Sequence, residues 1–326
     1  MKLMRYSRKG EKGSRARLGV LVGDQLVADL RAGYARYLIE EIGNAKGPEL
    51  AAIFLPGYIA QFLHAGAPAW EALSEAYGWL SDLVKSEPAA LGLSGQDLFI
   101  PLAECRLYAP VRGSKIVAIG RNYPEYTKNE GKRAGKVPAC FIKVPSSIVG
   151  PGRDILKPRA TKQLDCETEL AIVISKRCKN VPEDKAYDVI AGYTILNDIT
   201  ARDVGAIEKE AGHMLLGKTF DTFAPMGPWL VSKVEISDPM NLRIRTRVNG
   251  EVRQDGTTAD MIYSIPELIA HVSQMTLMPG DVISTGSPGG GALADPDWYL
   301  NAGDVIESDV EKIGTLVNAV VDEPAA

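Results

Sequence analysis

Three acidic residues stand in apolar, strand-like stretches of the sequence, where an isolated negative charge is costly to bury. Glu167 and Glu169 lie two residues apart and lead into the apolar run 170–174. Because successive strand side chains alternate between faces, both carboxylates should project from the same side. When two ionised carboxylates lie so near each other, either the pKa of one of them rises or a cation must bind between them. Asp198 ends another apolar run, 189–197, and offers a third oxygen ligand.

The ligand types indicate which metal would bind. Ligands made only of oxygen favour a hard cation such as Mg²⁺, Mn²⁺ or Ca²⁺ over zinc. Cys166 is adjacent in sequence, but strand alternation turns it to the face opposite Glu167, so we expect no thiolate ligand. The three acids therefore predict a divalent-metal enzyme.

Length and composition narrow the class of protein. The 326 residues suffice for two domains, and contents of 45% hydrophobic and 24% charged residues are ordinary for a globular protein. The net charge of −4 gives no indication of a nucleic-acid or anionic-membrane surface. We expect neither a membrane span nor a signal peptide, since no long apolar run is present. The four cysteines lack CxxC spacing and are expected to be reduced in a cytoplasmic protein.

The first part of the chain is predicted to be a small α+β domain over residues 1–107. Strand patterns at 2–8, 17–22 and 25–30 come first, with a hairpin turn at Gly23-Asp24 between the last two. Helical spacing of apolar residues then runs from about 32 to 85.

The remainder, 108–326, is dominated by strand patterns that Gly and Pro interrupt. Strands are predicted at 116–119, 139–143, 169–174, 193–197, 226–231, 242–248, 282–285, 305–310 and 315–320. Helices are predicted at 200–211 and 264–275, and Ser264 with Glu267 forms a capping box at the second. Asn249-Gly250 is typical of a type I′ hairpin turn. The fold class is therefore α+β and β-rich, a roll or sandwich rather than a Rossmann sheet.

A series of motifs in this second part resembles the fumarylacetoacetate hydrolase family. They occur in the family's order over about two-thirds of the chain and are Ala118-Ile119-Gly120-Arg121-Asn122-Tyr123, Phe141-Ile142-Lys143, Cys166-Glu167-Thr168-Glu169-Leu170, Asn197-Asp198-Ile199-Thr200-Ala201-Arg202-Asp203, Gly217-Lys218-Thr219-Phe220-Asp221, Val248-Asn249-Gly250-Glu251 and the run 279–288. The resemblance implies a mixed β-sandwich-roll catalytic domain, usually dimeric, that binds Mg²⁺ through Glu167, Glu169 and Asp198. Family members act on 2-oxo acids and related diketo acids by C–C hydrolysis, decarboxylation or keto–enol isomerisation.

The resemblance also suggests which residues surround the metal. A 2-oxo acid can chelate a metal through its carboxylate and ketone oxygens, and the cation then stabilises an enolate. Lys143 and Lys218 are the candidate cations for the substrate carboxylate or the developing oxyanion. The candidate substrate-binding residues are Arg121, Tyr123, Tyr126 and Ser287.

The stretch after Tyr123 departs from the family pattern. Hydrolytic members carry a His and a Glu there that activate water, whereas this chain has Tyr126 and Asn129 at those positions. A tyrosine with an ordinary pKa near 10 is a poor general base at neutral pH. Glu130 and His213 are retained as candidate catalytic residues.

A second departure lies further along the chain. Gly205 stands where the family often places a substrate-contacting Gln.

Three functional hypotheses follow. The leading one is a divalent-metal-dependent hydrolase that cleaves a C–C bond in a 2-oxo or diketo acid, such as an acylpyruvate or a fumarylacetoacetate-like compound. The alternative is an isomerase, decarboxylase or (de)hydratase with the same metal site, which the missing His–Glu pair favours. A third is a catalytically inactive metabolite-binding homologue. We expect a cytoplasmic homodimer with a small-molecule 2-oxo acid substrate and no nucleic-acid or membrane partner.

Overall fold

The structure, a computed structural model, describes residues 1–11, 16–125 and 135–324. Contacts divide the chain into two compact units, Met1–Val111 and Arg112–Ala326. The fold is a mixed, sheet-rich α+β fold, as the sequence predicts. Within the described ranges, no helix is both long and apolar enough to cross a membrane. All four cysteines are free thiols.

The N-terminal unit combines an antiparallel sheet with a group of helices. Its strands are β1 (Lys2–Arg8), β2 (Arg17–Val22), β3 (Leu26–Asp29), β4 (Phe99–Pro101) and β5 (Cys105–Tyr108). They pair in the order β4-β3-β2-β1-β5. The predicted helical region is confirmed as α1 (Leu30–Glu40), α2 (Gly47–Phe54), α3 (Ile59–Ala65) and α4 (Ala67–Ser86).

The second unit is built mainly from strands. They are β6 (Ile116–Gly120), β7 (Ala139–Lys143), β8 (Ile148–Val149), β9 (Ile155–Lys157), β10 (Leu164–Asp165), β11 (Thr168–Ile174), β12 (Ile190–Asn197), β13 (Thr200–Ala201), β14 (Ala224–Ser232), β15 (Arg243–Val248), β16 (Glu251–Thr257), β17 (Val282–Ser284), β18 (Val305–Val310) and β19 (Gly314–Asp322). Its helices are α5 (Arg202–Glu210), α6 (Leu216–Thr219) and α7 (Ile265–Val272).

Two sheets organise these strands. One contains the neighbours β14-β12-β11-β17-β6-β7, and the other runs β16-β15-β18-β19-β9. Most pairs are antiparallel, but β17 runs parallel to β6 and β19 runs parallel to β9. Residues from both sheets and from the apolar face of α7 form one buried hydrophobic cluster.

The pairing of β11 with β12 positions the acidic residues. Every residue of both strands is buried, which explains why they read as continuous apolar runs. Their antiparallel register places Thr168 opposite Asn197, so β11 begins beside the end of β12. Glu167 precedes β11 and Asp198 follows β12, and the N–H of Asp198 donates to the carbonyl of Glu167 at 2.7 Å.

The hairpin between β15 and β16 confirms one local prediction and shows one omission. Asn249 and Gly250 have φ values of 53° and 83°, the positive φ at both central residues that a type I′ turn requires. The sequence did not predict β16, because Glu-Val-Arg-Gln-Asp-Gly-Thr lacks alternating apolar residues. Pairing with β15 supplies the backbone hydrogen bonds that hold it.

The capping box at α7 yields a stability prediction. The Ser264 side chain accepts a hydrogen bond from the N–H of Glu267, whose carboxylate in turn accepts one from the N–H of Ser264. Ser264→Ala should lower the free energy of unfolding by about 1 kcal/mol, measured by urea denaturation. Ser264→Asp, which retains an acceptor, is the matched control; an equal loss in both variants would contradict the role of the cap.

Candidate active site

The structure brings the three predicted acids together at one end of β11 and β12. Glu167, Glu169 and Asp198 are buried, with exposed fractions of 6%, 2% and 1%. Each contributes a carboxylate oxygen, and these oxygens lie within 4.8 Å of one another. All three line a cavity of about 190 Å³. The acidic cluster therefore has the composition and spacing of a site that could hold a metal ion.

Two lysines contact these acids from the protein interior. The ammonium of Lys218 donates to Oε2 of Glu167 at 2.6 Å and to Oδ2 of Asp198 at 2.5 Å. Lys143 is fully buried and donates to Oδ1 of Asp198 at 2.5 Å. It also donates to the carbonyl oxygens of Ile199 and Lys218, at 3.2 and 2.5 Å. All three N–H groups of Lys143 are thus used in holding the site together.

An arginine at the start of α5 completes the ion-pair network. Nη2 of Arg202 donates to Oε1 of Glu167 at 2.8 Å and to Oδ2 of Asp165 at 2.7 Å. The other Asp165 oxygen accepts the N–H of Ala292 at 3.1 Å. Arg202 therefore links a proposed metal ligand to the loop that follows β17.

The charges of the cluster shift the pKa of its members in opposite directions. Burial alone would raise the pKa of Glu167, but Arg202 and Lys218 outweigh it and hold that pKa well below its usual range. Burial opposes the charged form of Lys218, yet Asp198 and Glu167 overcome it and raise its pKa. The pKa of Lys143 is lowered, chiefly by complete burial and despite the pairing with Asp198.

Glu169 has a different environment. It accepts hydrogen bonds from the Ser284 hydroxyl and, at 3.1 Å, from the N–H of Gly286. Gly286 has φ +91°, a backbone conformation that other residues rarely adopt, and this aims its N–H at the carboxylate. Burial, Asp198 and Glu167 raise the pKa of Glu169 well above its ordinary value.

The donor set fits a hard divalent cation. The ligands would be carboxylate oxygens of Glu167, Glu169 and Asp198, which suit Mg²⁺, Mn²⁺ or Ca²⁺. Glu169 would otherwise need a proton, because its neighbours are two further buried acids. A cation among the three oxygens would supply the charge compensation that Glu169 otherwise lacks.

Only some of the predicted substrate-binding and catalytic residues that the structure describes line the cavity. Arg121 and Ser287 line the cavity beside the acids. Tyr123 is fully buried in the hydrophobic cluster, and its hydroxyl has no hydrogen-bond partner among the described atoms. His213 is exposed, with Nε2 3.7 Å from a Glu208 oxygen, and is not part of the cavity lining.

Two further predicted residues, Tyr126 and Glu130, lie outside the described residues, as does Asn129. Their roles stay predictions.

Several residues of the site were not identified from the sequence. Arg202 lies four positions after Asp198, inside the predicted helix 200–211, and helical spacing does not indicate that its side chain contacts Glu167 and Asp165. Asp165 precedes Glu167 by two residues, so the same strand alternation could have placed it with the other acids. Phe141 contacts Lys218, with the ammonium 5.0 Å from the ring centroid. No local pattern predicts that contact, because it depends on the packing of β7 beside α6.

Comparison with known proteins identifies the protein family to which this fold and acid cluster belong. Residues 115–321 match the family model described as fumarylacetoacetate (FAA) hydrolase C-terminal. The chain belongs to the fumarylacetoacetate hydrolase family.

Relatives within the family carry out different reactions. The chain is similar to human mitochondrial oxaloacetate tautomerase FAHD2A, with 42% identity over 72% of this chain and 75% of that protein. Its structure resembles 5-carboxymethyl-2-hydroxymuconate delta-isomerase from Mycobacterium smegmatis (TM-score 0.69, 30% identity, 99% of this chain and 100% of that chain). It also resembles maleylpyruvate hydrolase from Sphingobium sp. SYK-6 (TM-score 0.70, 27% identity, 99% and 100%). An enzyme that processes a 2-oxo acid fits all three likenesses.

The raised pKa of Glu169 predicts that metal binding releases a proton. A cation binds the ionised carboxylate, so Mg²⁺ affinity should increase with pH and up to one proton should leave on binding. Calorimetric titration in two buffers of different ionisation enthalpy measures that proton.

Two variants control this measurement. Glu169→Gln should bind Mg²⁺ more weakly and without the proton release, whereas Asp184→Asn, at an exposed position, should behave like the parent protein. Unchanged Mg²⁺ binding in Glu169→Gln would exclude this carboxylate as a ligand.

Proposed function

We propose that this protein is a divalent-metal-dependent isomerase that catalyses keto–enol exchange of a small 2-oxo acid. The observation that carries the proposal is that Lys218 lines the cavity and that its ammonium contacts Glu167 and Asp198. A charged donor beside a metal site is suited to stabilise an enolate oxygen. Keto–enol exchange requires that stabilisation and the movement of one proton.

The histidines favour isomerisation over hydrolysis. All three histidines, His64, His213 and His271, belong to the described residues, and none of them lines the cavity. His64 contacts the carbonyl of Ala60 within its own helix, and His271 lies in α7. The chain therefore offers no described histidine as a base for activating water, whereas isomerisation does not need an activated water.

The acids and lysines of the site would have different roles in the reaction. A cation held by Glu167, Glu169 and Asp198 would supply Lewis-acid polarisation of the substrate ketone. Lys218 would donate to the oxygen on which negative charge develops. Lys143 acts indirectly, because it fixes both the Asp198 carboxylate and the main chain at Lys218.

Other cavity residues would orient the substrate. Arg121 and Ser287 provide a cation and a hydroxyl that can bind its carboxylate, and Ile119, Phe141 and Leu293 provide apolar surface that limits water. We propose that Glu130, a candidate catalytic residue from the sequence, is the group that accepts the proton.

The size of the cavity limits the substrate. Its volume of about 190 Å³ is below the roughly 300–1,000 Å³ of sites for drug-sized ligands. A short 2-oxo acid fits such a space better than a long-chain diketo acid.

Enzyme assays distinguish this proposal from the alternatives. With Mg²⁺, the purified protein should accelerate the conversion of the enol form of oxaloacetate to the keto form. The decrease in enol absorbance measures this conversion. Cleavage of acylpyruvates or release of CO₂ without enol–keto exchange would instead support a hydrolase or a decarboxylase. Absence of every activity, with Mg²⁺ binding retained, would support the inactive-homologue hypothesis.

Substitution of Lys218 tests its role in the reaction. Lys218→Met should lower kcat about 100-fold or more, because the charge-stabilising donor is lost. Lys185→Met, an exposed substitution of the same type, should have no effect. Circular dichroism and Mg²⁺ titration show whether Lys218→Met remains folded; a folded variant with full activity would contradict the proposed role.

Homodimer formation and a cytoplasmic location stay predictions. Light scattering at assay concentration tests the first, with an expected mass of twice that of the chain.

A further inference from the structure

The strand β16 has a single buried residue, and that residue is polar. Gln254 is 2% exposed, whereas the other six residues of Glu251–Thr257 are exposed or only partly buried. A buried amide without hydrogen-bond partners is costly, so the contacts of Gln254 should explain why it lies in the interior.

The Gln254 carboxamide joins the acid cluster to the loop after β17. Its Oε1 accepts the N–H of Thr168 at 3.1 Å and the hydroxyl of Thr246 at 2.6 Å, and its Nε2 donates to the carbonyl of Pro288 at 2.8 Å. Donors on one side and an acceptor on the other fix the orientation of the amide. Thr168 is the residue between the first two acids of the cluster, and Pro288 follows a residue of the cavity lining.

An irregularity in the β15–β16 pairing accompanies this contact. Thr246 pairs with Gln254, but the next residue, Arg247, pairs with Val252, so Arg253 is an extra residue on β16. Such a β-bulge re-aims side chains and is frequent beside active sites. At this bulge, Gln254 is buried against the start of β11.

The loop after β17 lies directly against β16. A Cβ built at Gly256 would be 2.6 Å from Cβ of Pro288, and one built at Gly290 would collide with the carbonyl oxygen of Arg253. Gly290 also forms a β-bridge with Gln254. A glycine in a strand allows such a close approach of another segment. The loop is therefore packed tightly against the strand that carries Gln254.

Ser287 lies between two fixed points of this loop. On one side, the N–H of Gly286 donates to the Glu169 carboxylate at 3.1 Å. On the other side, the carbonyl of Pro288 accepts the Gln254 amide at 2.8 Å. The position of the Ser287 hydroxyl relative to the acids therefore depends on both contacts.

The acids have supports of their own. Glu167 and Asp198 are joined by a backbone hydrogen bond of 2.7 Å and by the shared ammonium of Lys218. Within the described ranges, the three hydrogen bonds of the Gln254 side chain go to other groups. Loss of this amide should therefore displace the loop and leave the metal ligands in place.

We propose that Gln254 is a positioning residue, which holds the Pro288 carbonyl so that the Ser287 hydroxyl reaches the carboxylate of a substrate bound at the acid cluster. This inference rests on the proposed keto–enol isomerase function and adds a residue of the second sheet to its site. Gln254 acts through Ser287 and does not touch the substrate. Displacement of a binding group by about 1 Å is enough to weaken its contribution strongly.

Substitution of Gln254 by methionine tests the proposal, because methionine has a similar length and no amide. Gln254→Met should raise KM for oxaloacetate about 10-fold, as expected when a hydrogen bond to a charged group is lost, and kcat should change much less. The affinity for Mg²⁺ alone, measured by calorimetry, should equal that of the parent protein. An unchanged KM, or a loss of Mg²⁺ affinity as large as the rise in KM, overturns the proposal.

Thr258→Val controls for a general loss of stability. Thr258 is fully buried in the same part of the fold, and its hydroxyl accepts the N–H of Leu242 at 2.8 Å. This substitution leaves a buried N–H without its partner, so it should lower the free energy of unfolding in urea while the kinetic constants stay unchanged. A rise in KM equal to that of Gln254→Met would show that Gln254 has only a structural role.

A double-mutant cycle tests whether Gln254 acts through Ser287. Ser287→Ala should raise KM by a similar factor, and the double variant should show no further rise, because the two changes remove the same contact. Additive effects exclude this link, and so does an unchanged KM in Ser287→Ala.

Oxalate binding separates this inference from the function on which it rests. Oxalate resembles the enolate of a 2-oxo acid, so its calorimetric titration into the Mg²⁺-loaded protein requires no turnover. Gln254→Met should weaken oxalate binding about 10-fold. That result with a parent protein that does not convert oxaloacetate would support the positioning role and reject the isomerase proposal.

The opposite combination rejects the positioning role alone. It consists of conversion of oxaloacetate by the parent protein together with equal oxalate affinity in both proteins, or with no oxalate binding. Absence of both conversion and oxalate binding would reject both proposals.

Discussion

Four carboxylates are buried in one cluster of the second unit, and their charges must be balanced within the protein. Three of them, Asp165, Glu167 and Asp198, are paired with Lys143, Lys218 or Arg202. Removal of one partner from a buried ion pair typically costs about 3–5 kcal/mol, because the other charge is left uncompensated. The network therefore constrains the fold as well as the chemistry.

The strand arrangement makes this concentration of charge possible. Because β11 and β12 are antiparallel neighbours, the beginning of one and the end of the other present acids at the same edge. Lys143 ends β7, and Lys218 lies in α6, so four separate segments of the chain meet there. Glu169 differs from the other acids, since hydroxyl and amide donors rather than lysine or arginine contact it. A metal ion could therefore balance the charge of Glu169, whereas lysine or arginine side chains already balance the charges of the other acids.

The sequence allowed much of this arrangement to be predicted, for a physical reason. Strand alternation depends only on neighbouring residues, so the shared side of Glu167 and Glu169 follows directly from their spacing. The capping box at Ser264 and the turn at Asn249-Gly250 are local as well, and the structure confirms both. By contrast, the contacts of Arg202 with Asp165 and Glu167 depend on how α5 packs against β10. The exposure of His213 also depends on packing, so the sequence alone does not show that this residue lies outside the described cavity lining.

The hydrogen bond from Ala292 to Asp165 has a consequence for how this scaffold can diversify. One Asp165 oxygen holds the loop after β17, and the other holds the arginine that supports Glu167. Mutations that reshape this loop would therefore disturb the acid cluster at the same time. The helix α5 is less constrained at Gly205, where an added Cβ would meet no atom of the described residues within 4 Å. Mutations that alter which substrate acids the site accepts should therefore accumulate on α5. The loop should keep its length and backbone path.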